Sequence, residues 1–231
     1  MASKLALDPR VDPRIKAVFA QFELPTLTSV ASREEILAEE ATESATTRAK
    51  GLKAFLDAMD TEVIAPSAGL SVRTERFTSS PDGNLVNIQF IRPADGKMLP
   101  CVCYIHGGGM AHGSCYYGNY RAWGRMIAAQ GVAVAMVDFR NAVRASTAPE
   151  IAPYPAGLND CVAGLKWVHA NADKLGIDSN RIIVAGESGG GNLGDRDEAA
   201  QGRRHRTCQR PLRPLPLHRR RVAAAAESLF D

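Results

Sequence analysis

No run of apolar residues in the chain is long enough to span a bilayer, and Met1 to Lys16 lack the apolar core of a secretory signal. The expectation is a cytoplasmic protein with no membrane span. The residues that staple small secreted folds are also scarce. The five cysteines, Cys101, Cys103, Cys115, Cys161 and Cys208, are odd in number, scattered, and mostly inside segments patterned as strands and helices. That argues against a disulfide framework or a zinc site. A basic field is missing from most of the chain: residues 1–193 are nearly balanced in charge, so the formal net charge of +3 belongs to the Arg-rich residues 194–231. The expected partner is a small molecule, with no nucleic acid.

What is present is a regular alternation of elements. At 231 residues with 45% apolar content, the chain can bury one good core. Asp12 and Pro13 read as the N-cap and first residue of a helix with Ile15, Val18, Phe19 and Phe22 on one face. Ser32 and Glu35 have the spacing of a capping box, and Leu52, Phe55, Leu56 and Met59 form a second apolar stripe. Val72–Thr78 and Val86–Ile91 alternate apolar and polar residues around Pro81-Asp82-Gly83-Asn84, which predicts an antiparallel hairpin. Cys101–Ile105, Val132–Val137 and Arg181–Ala185 are continuous apolar strands. Between them lie a helix with Trp123, Met126 and Ile127, and another from about Pro155 to Leu175 with Leu158, Cys161, Val162, Leu165 and Val168 on one face. The pattern predicts an α/β fold with a mostly parallel sheet and helices on both faces.

Two of these strands end in glycine-rich turns. Gly186-Glu187-Ser188-Gly189-Gly190 follows one strand and opens a helix. A serine on so sharp a turn, flanked by glycines that allow strand and helix to approach, is a nucleophile elbow. Alone, such a motif is a weak signal. His106-Gly107-Gly108-Gly109 closes the strand Cys101–Ile105 and strengthens it, because acyl transfer needs both a presented nucleophile and backbone N–H groups for the developing oxyanion.

These motifs, with Asp138-Phe139-Arg140 and Pro153-Tyr154-Pro155-Ala156 between them, resemble the hormone-sensitive-lipase-like (HGGG / GxSxG) esterases of the α/β-hydrolase fold over about residues 12–193. The resemblance implies a carboxylic ester hydrolase that works through an acyl-enzyme on short- to medium-chain esters, with no metal or organic cofactor. It implies that residues 1–66 are cap-like helices, whose aromatics line an acyl pocket or simply pack on the body, and that residues 67–193 are the N-terminal part of the catalytic domain. Ser188 is then the nucleophile, the N–H groups of Gly108, Gly109 and Gly189 form the oxyanion hole, His106 and Gly107 brace the loop, and Gly186 and Gly190 are the elbow glycines. Gly189 stands where the family usually has alanine and still supplies its N–H. Glu187 replaces the commoner aspartate. His112 and His169 read as surface or helix residues.

The acid and histidine that such a serine requires lie far downstream in the family. Asp195, Asp197 and Glu198, then His205 and His218, come in the right order here. The acids, however, fall on the helix leaving the elbow, which rises about 1.5 Å per residue away from the site. No acid and no base is therefore assigned. Residues 194–231 fall outside the resemblance and interleave Arg with Pro and Leu. They read as a disordered extension or as a frameshifted one, because the neighbouring reading frame permits a helix continuation and then an apolar segment. The expectation is a fold truncated after the elbow, with impaired activity. Two rival readings are a non-catalytic ligand-binding remnant and a nucleic-acid-binding arm in the basic tail, the latter recognisable by steep salt dependence.

Overall fold

The computed structural model describes residues 8–19 and 32–200, and the chain divides into two compact units, residues 1–39 and 40–231. In the first unit, helix α1 (Pro13–Phe19) is started by Asp12, whose Oδ1 accepts the Arg14 N–H at 2.8 Å while its carbonyl accepts the Lys16 N–H at 3.0 Å. Phe22, expected on the same face, lies outside the described residues. Helix α2 (Arg33–Glu40) opens at Ser32, whose Oγ accepts the Glu35 N–H at 3.2 Å, one half of the expected capping box.

The second unit runs α3 (Glu43–Asp57), β1 (Leu70–Thr78), β2 (Leu85–Pro93), β3 (Leu99–Ile105), α4 (Gly118–Ala128), β4 (Ala133–Val137), α5 (Ala156–Ala170), α6 (Ala172–Leu175), β5 (Ile177–Gly186) and α7 (Gly189–Ala200). The sheet order is β1-β2-β4-β3-β5. Strands β4, β3 and β5 are parallel, and the hairpin β1–β2 joins them antiparallel through β2 and β4. The described sheet is thus mixed, because the hairpin is added to the edge of a parallel three-stranded centre. The single helix expected from Pro155 to Leu175 is interrupted at Asn171, whose side-chain Nδ2 donates to the Trp167 carbonyl at 2.9 Å and competes for the helix ladder. Gly176, at φ +68, then ends α6 in the left-handed conformation.

Strand β4 shows why the central strands read as unbroken apolar runs. Ala133, Ala135 and Val137 face a core with Phe77, Phe90, Leu158 and Leu193, while Val134 and Met136 face the opposite side with Ile91, Tyr104 and Tyr120 of α4. Both faces are covered, so no residue of the strand is left for water. Each large side chain buried this way contributes about 1.5–3 kcal/mol.

The α3 stripe behaves differently from its pattern. Leu52 and Phe55 are exposed, 56% and 42%. What holds α3 is its C-terminal end: Asp57 Oδ1 accepts the Gly118 N–H at 2.8 Å and so caps α4, and a Cβ on Gly118 would sit 2.4 Å from the Asp57 Cα. Arg121 and Arg125 then grip Asp60, each at 2.6 Å.

Candidate active site

Strand β5 ends at Gly186 and α7 begins at Gly189, so Glu187 and Ser188 make the whole turn. Ser188 adopts φ +50; among the described residues one other non-glycine has a positive φ, Met110 at +62. Each such conformation costs about 1–2 kcal/mol and persists only where its surroundings over-determine it. Here the turn is closed by the Gly190 N–H to the Glu187 carbonyl at 2.8 Å and the Asn192 N–H to the Ser188 carbonyl at 3.1 Å. Crowding does the rest. A Cβ on Gly186 would lie 2.5 Å from the Gly190 carbonyl carbon, and one on Gly190 would lie 2.2 Å from the Ile105 oxygen. The helix N-terminus is thereby pressed against the end of β3, and Ser188 is left exposed.

The second turn starts at His106, which is fully buried, stacked on Phe139 at 4.3 Å and packed against Tyr120 at 5.6 Å. Its Nδ1 lies 2.7 Å from the Gly107 carbonyl, which can only accept, so the ring carries its proton on Nδ1. Burial holds the imidazole below its ordinary pKa and therefore neutral. The loop then passes through Gly108 (φ +114), Gly109 (+63) and Met110 (+62). Its far side is pinned by Ala142 N–H to the Met110 carbonyl at 2.9 Å, by Val143 and Arg144 N–H to the Ala111 carbonyl at 3.2 and 2.9 Å, and by Asn141 Nδ2 to the Gly113 carbonyl at 2.8 Å. Met110 packs its side chain against the core.

Two buried carboxylates hold the segments that pin this loop. Asp138 accepts from Ser114 Oγ at 2.7 Å, Cys115 N–H at 3.0 Å, and both the N–H (2.7 Å) and the hydroxyl of Thr147. Asp160 of α5 accepts from Arg140 Nε at 2.9 Å, Arg140 N–H at 3.0 Å and Ser79 Oγ at 2.6 Å, and Asp82 takes the same guanidinium at 2.6 Å. Hydrogen bonding to Asp160 and to Asp82 outweighs burial and raises the Arg140 pKa above its ordinary value. Asp138-Phe139-Arg140 therefore serves as scaffold.

The two turns meet at Gly189. A Cβ there would lie 2.8 Å from the Met110 nitrogen and 3.0 Å from the Gly109 nitrogen and Cα. They are also linked by Tyr120, whose hydroxyl accepts the Gly107 N–H at 3.0 Å and donates to Glu187 Oε1 at 2.5 Å. Burial and then Glu187 push that phenol well up, and the same two causes push Tyr104 up to about 12, so both stay protonated donors. Tyr120 and Met110 were not singled out from the sequence; the run of glycines directly before Met110 was the one available signal.

Ser188, Gly189 and Gly109 are thus brought together, and Gly108 sits one residue back, where a Cβ would collide with the His112 carbonyl at 2.0 Å. The histidines do not join them. His106 is held as described, His112 Nε2 faces Glu40 at 3.4 Å, and His169 is exposed on α5. Burial raises Glu40, but Arg144 at 2.6 Å and His112 outweigh it and hold the carboxyl below its ordinary value. Among the described residues no histidine is hydrogen-bonded to Ser188. Asp195, Asp197 and Glu198 lie on α7, whereas His205, His218 and the Arg-rich segment fall outside the described residues. No described helix is long and apolar enough to cross a membrane.

Comparison with known proteins finds esterases. The BD-FAE family model matches residues 88–201. Carboxylesterase NlhH of Mycobacterium tuberculosis is 45% identical over 95 residues, 41% of this chain. Esterase Est22 superposes with a TM-score of 0.84 at 60% identity over 87% of this chain. Brefeldin A esterase, a bacterial homologue of human hormone sensitive lipase, does so with a TM-score of 0.72 at 30% identity over 89%. The match spans 27% of the length of NlhH, 60% of Est22 and 56% of brefeldin A esterase. With the strained serine and the glycine loop packed on it, these likenesses show that the chain has the α/β-hydrolase fold and resembles the hormone-sensitive-lipase-like esterases.

Proposed function

We propose that this chain carries the nucleophile and oxyanion half of a serine carboxylic ester hydrolase. The observation that carries the reading is the pairing of strained residues, Ser188 and Met110, the two described non-glycines at positive φ: Ser188 directly precedes Gly189, and a Cβ on Gly189 would lie 2.8 Å from the Met110 nitrogen. Strain of this kind clusters where a reactive group must be presented. In the reaction, Ser188 Oγ bonds to the ester carbonyl carbon as its proton leaves, and the carbonyl electrons move onto oxygen. The N–H groups of Gly109 and Gly189, with Gly108 behind them, receive that oxyanion, each worth about 3–4 kcal/mol. Collapse expels the alcohol and leaves an acyl-serine, which water then hydrolyses. The expected substrates are short- to medium-chain carboxylic esters.

The proton is the difficulty. None of the three described histidines is placed to take it, and His106 Nδ1–H is engaged by the Gly107 carbonyl. Loss of the histidine from such a triad costs about six orders of magnitude in kcat. On the described residues alone poor turnover is expected, and added imidazole should supply a base to Ser188. The test is mass spectrometry after incubation with p-nitrophenyl acetate and imidazole. The related esterase Est22 has been solved with p-nitrophenol, the alcohol that this ester releases. One acetyl group is expected on the peptide containing Ser188 and none in Ser188→Ala. Failure to acylate Ser188 would overturn the reading.

A further inference from the structure

We propose that Gly189 is a positioning residue that sets the width of the oxyanion hole, and that this protein's loop is built for glycine and not alanine at that position. The inference rests on the ester-hydrolase reading. Its basis is steric and local. A Cβ at Gly189 would meet backbone, the Met110 nitrogen at 2.8 Å and the Gly109 nitrogen and Cα at 3.0 Å, and backbone cannot swing aside as the end of a side chain can.

Nor can the loop retreat as a body. Its outer side is tied by the hydrogen bonds from Ala142, Val143 and Arg144, and the Met110 side chain is packed into the core. The strained φ of Met110 allows little further adjustment. The methyl group of an alanine therefore wedges apart the two donors that must converge on one oxygen atom. The effect falls on the developing oxyanion more than on the bound ester, because donor distance matters most where charge appears.

An internal control lies two residues along the same helix. A Cβ on Gly191 would sit 3.4 Å from the Gly186 oxygen, an ordinary contact. Glycine to alanine is the same chemical change at both sites, and inside a helix it is ordinarily stabilising. Gly189→Ala should therefore reverse the sign that Gly191→Ala obeys.

The experiment compares melting temperature and phenylboronic acid binding by calorimetry in the full chain. In the adduct the Ser188 Oγ–boron bond forms, the serine proton passes to solvent, and a boronate oxygen occupies the oxyanion position. Gly189→Ala should lower Tm by about 4 °C or more and weaken phenylboronate binding about tenfold or more. Gly191→Ala should leave binding unchanged and Tm equal or higher. Met110→Gly relaxes the loop, so the double variant with Gly189→Ala should lose less Tm than the two single losses added. A Gly189→Ala protein that fails to fold while Gly191→Ala folds is the same result in stronger form. A Gly189→Ala protein that melts at or above the wild type and binds phenylboronate equally well overturns the proposal, as do additive losses in the double variant. Wild-type protein that binds no phenylboronate overturns the ester-hydrolase reading, while the Tm pattern still decides the steric claim.

Discussion

In the turn that carries Ser188, the positive φ falls on the serine, while Gly186, Gly189 and Gly190 are kept bare by backbone within 3.0 Å of any Cβ. In the turn after His106, the positive φ falls on glycine itself: Gly109 sits at +63 with open space where a Cβ would be, and Gly108 at +114 is both left-handed and crowded. Glycine therefore answers two different demands in motifs that look alike on paper. The elbow needs closeness, so that a helix N-terminus can be pressed against the end of β3. The loop needs conformations that L-residues avoid. Met110 is where the second demand outruns the supply of glycine, and its packing against the core offsets the strain.

The largest effect expected from this contrast is at Gly190. Gly190→Ala places a methyl 2.2 Å from the Ile105 oxygen, at a cost of about 3 kcal/mol or more in urea unfolding, or loss of the fold. Gly109→Ala should cost about 1–2 kcal/mol, from conformation alone. If the two losses were equal, the distinction between crowding and φ would collapse.

His106 sharpens the comparison through pH, since only the loop contains a buried neutral imidazole. Its folded pKa lies below the unfolded value because burial disfavours the cation. The unfolded chain therefore takes up a proton below about pH 6.5 that the folded chain refuses. This contribution to stability is present above that pH and should be lost progressively as pH falls below it, with a flatter profile in His106→Gln. The smallest effect is a gain. Ser188→Gly removes the strained non-glycine and should stabilise the protein by about 0.5–1 kcal/mol while abolishing acylation.

The hairpin, the three central strands and both glycine turns were legible because each has a local signature: alternation, unbroken apolar runs, or a motif closing a strand. What was not legible depends on partners distant in the chain. Asp160 sits on a helix whose apolar stripe says nothing of Arg140 or Ser79, its hydrogen-bond donors. The Tyr120 hydroxyl finds its role only once Gly107 and Glu187 are adjacent. Leu52 and Phe55 show the converse, a helical stripe that predicts burial while α3 is held instead by Asp57 and Gly118 at its end. The interruption at Asn171 is local, but an asparagine bonding back to its own helix has no period to reveal it.

The most direct test compares p-nitrophenyl butyrate hydrolysis by the chain and by Ser188→Ala, with and without imidazole. The expected result is equal, slow rates without imidazole, and a clear excess for the Ser188 protein when imidazole is added. A Ser188-dependent rate without imidazole would show that a histidine of this chain already serves as base. Equal rates at every imidazole concentration would show that the elbow and its loop do not present a nucleophile at all.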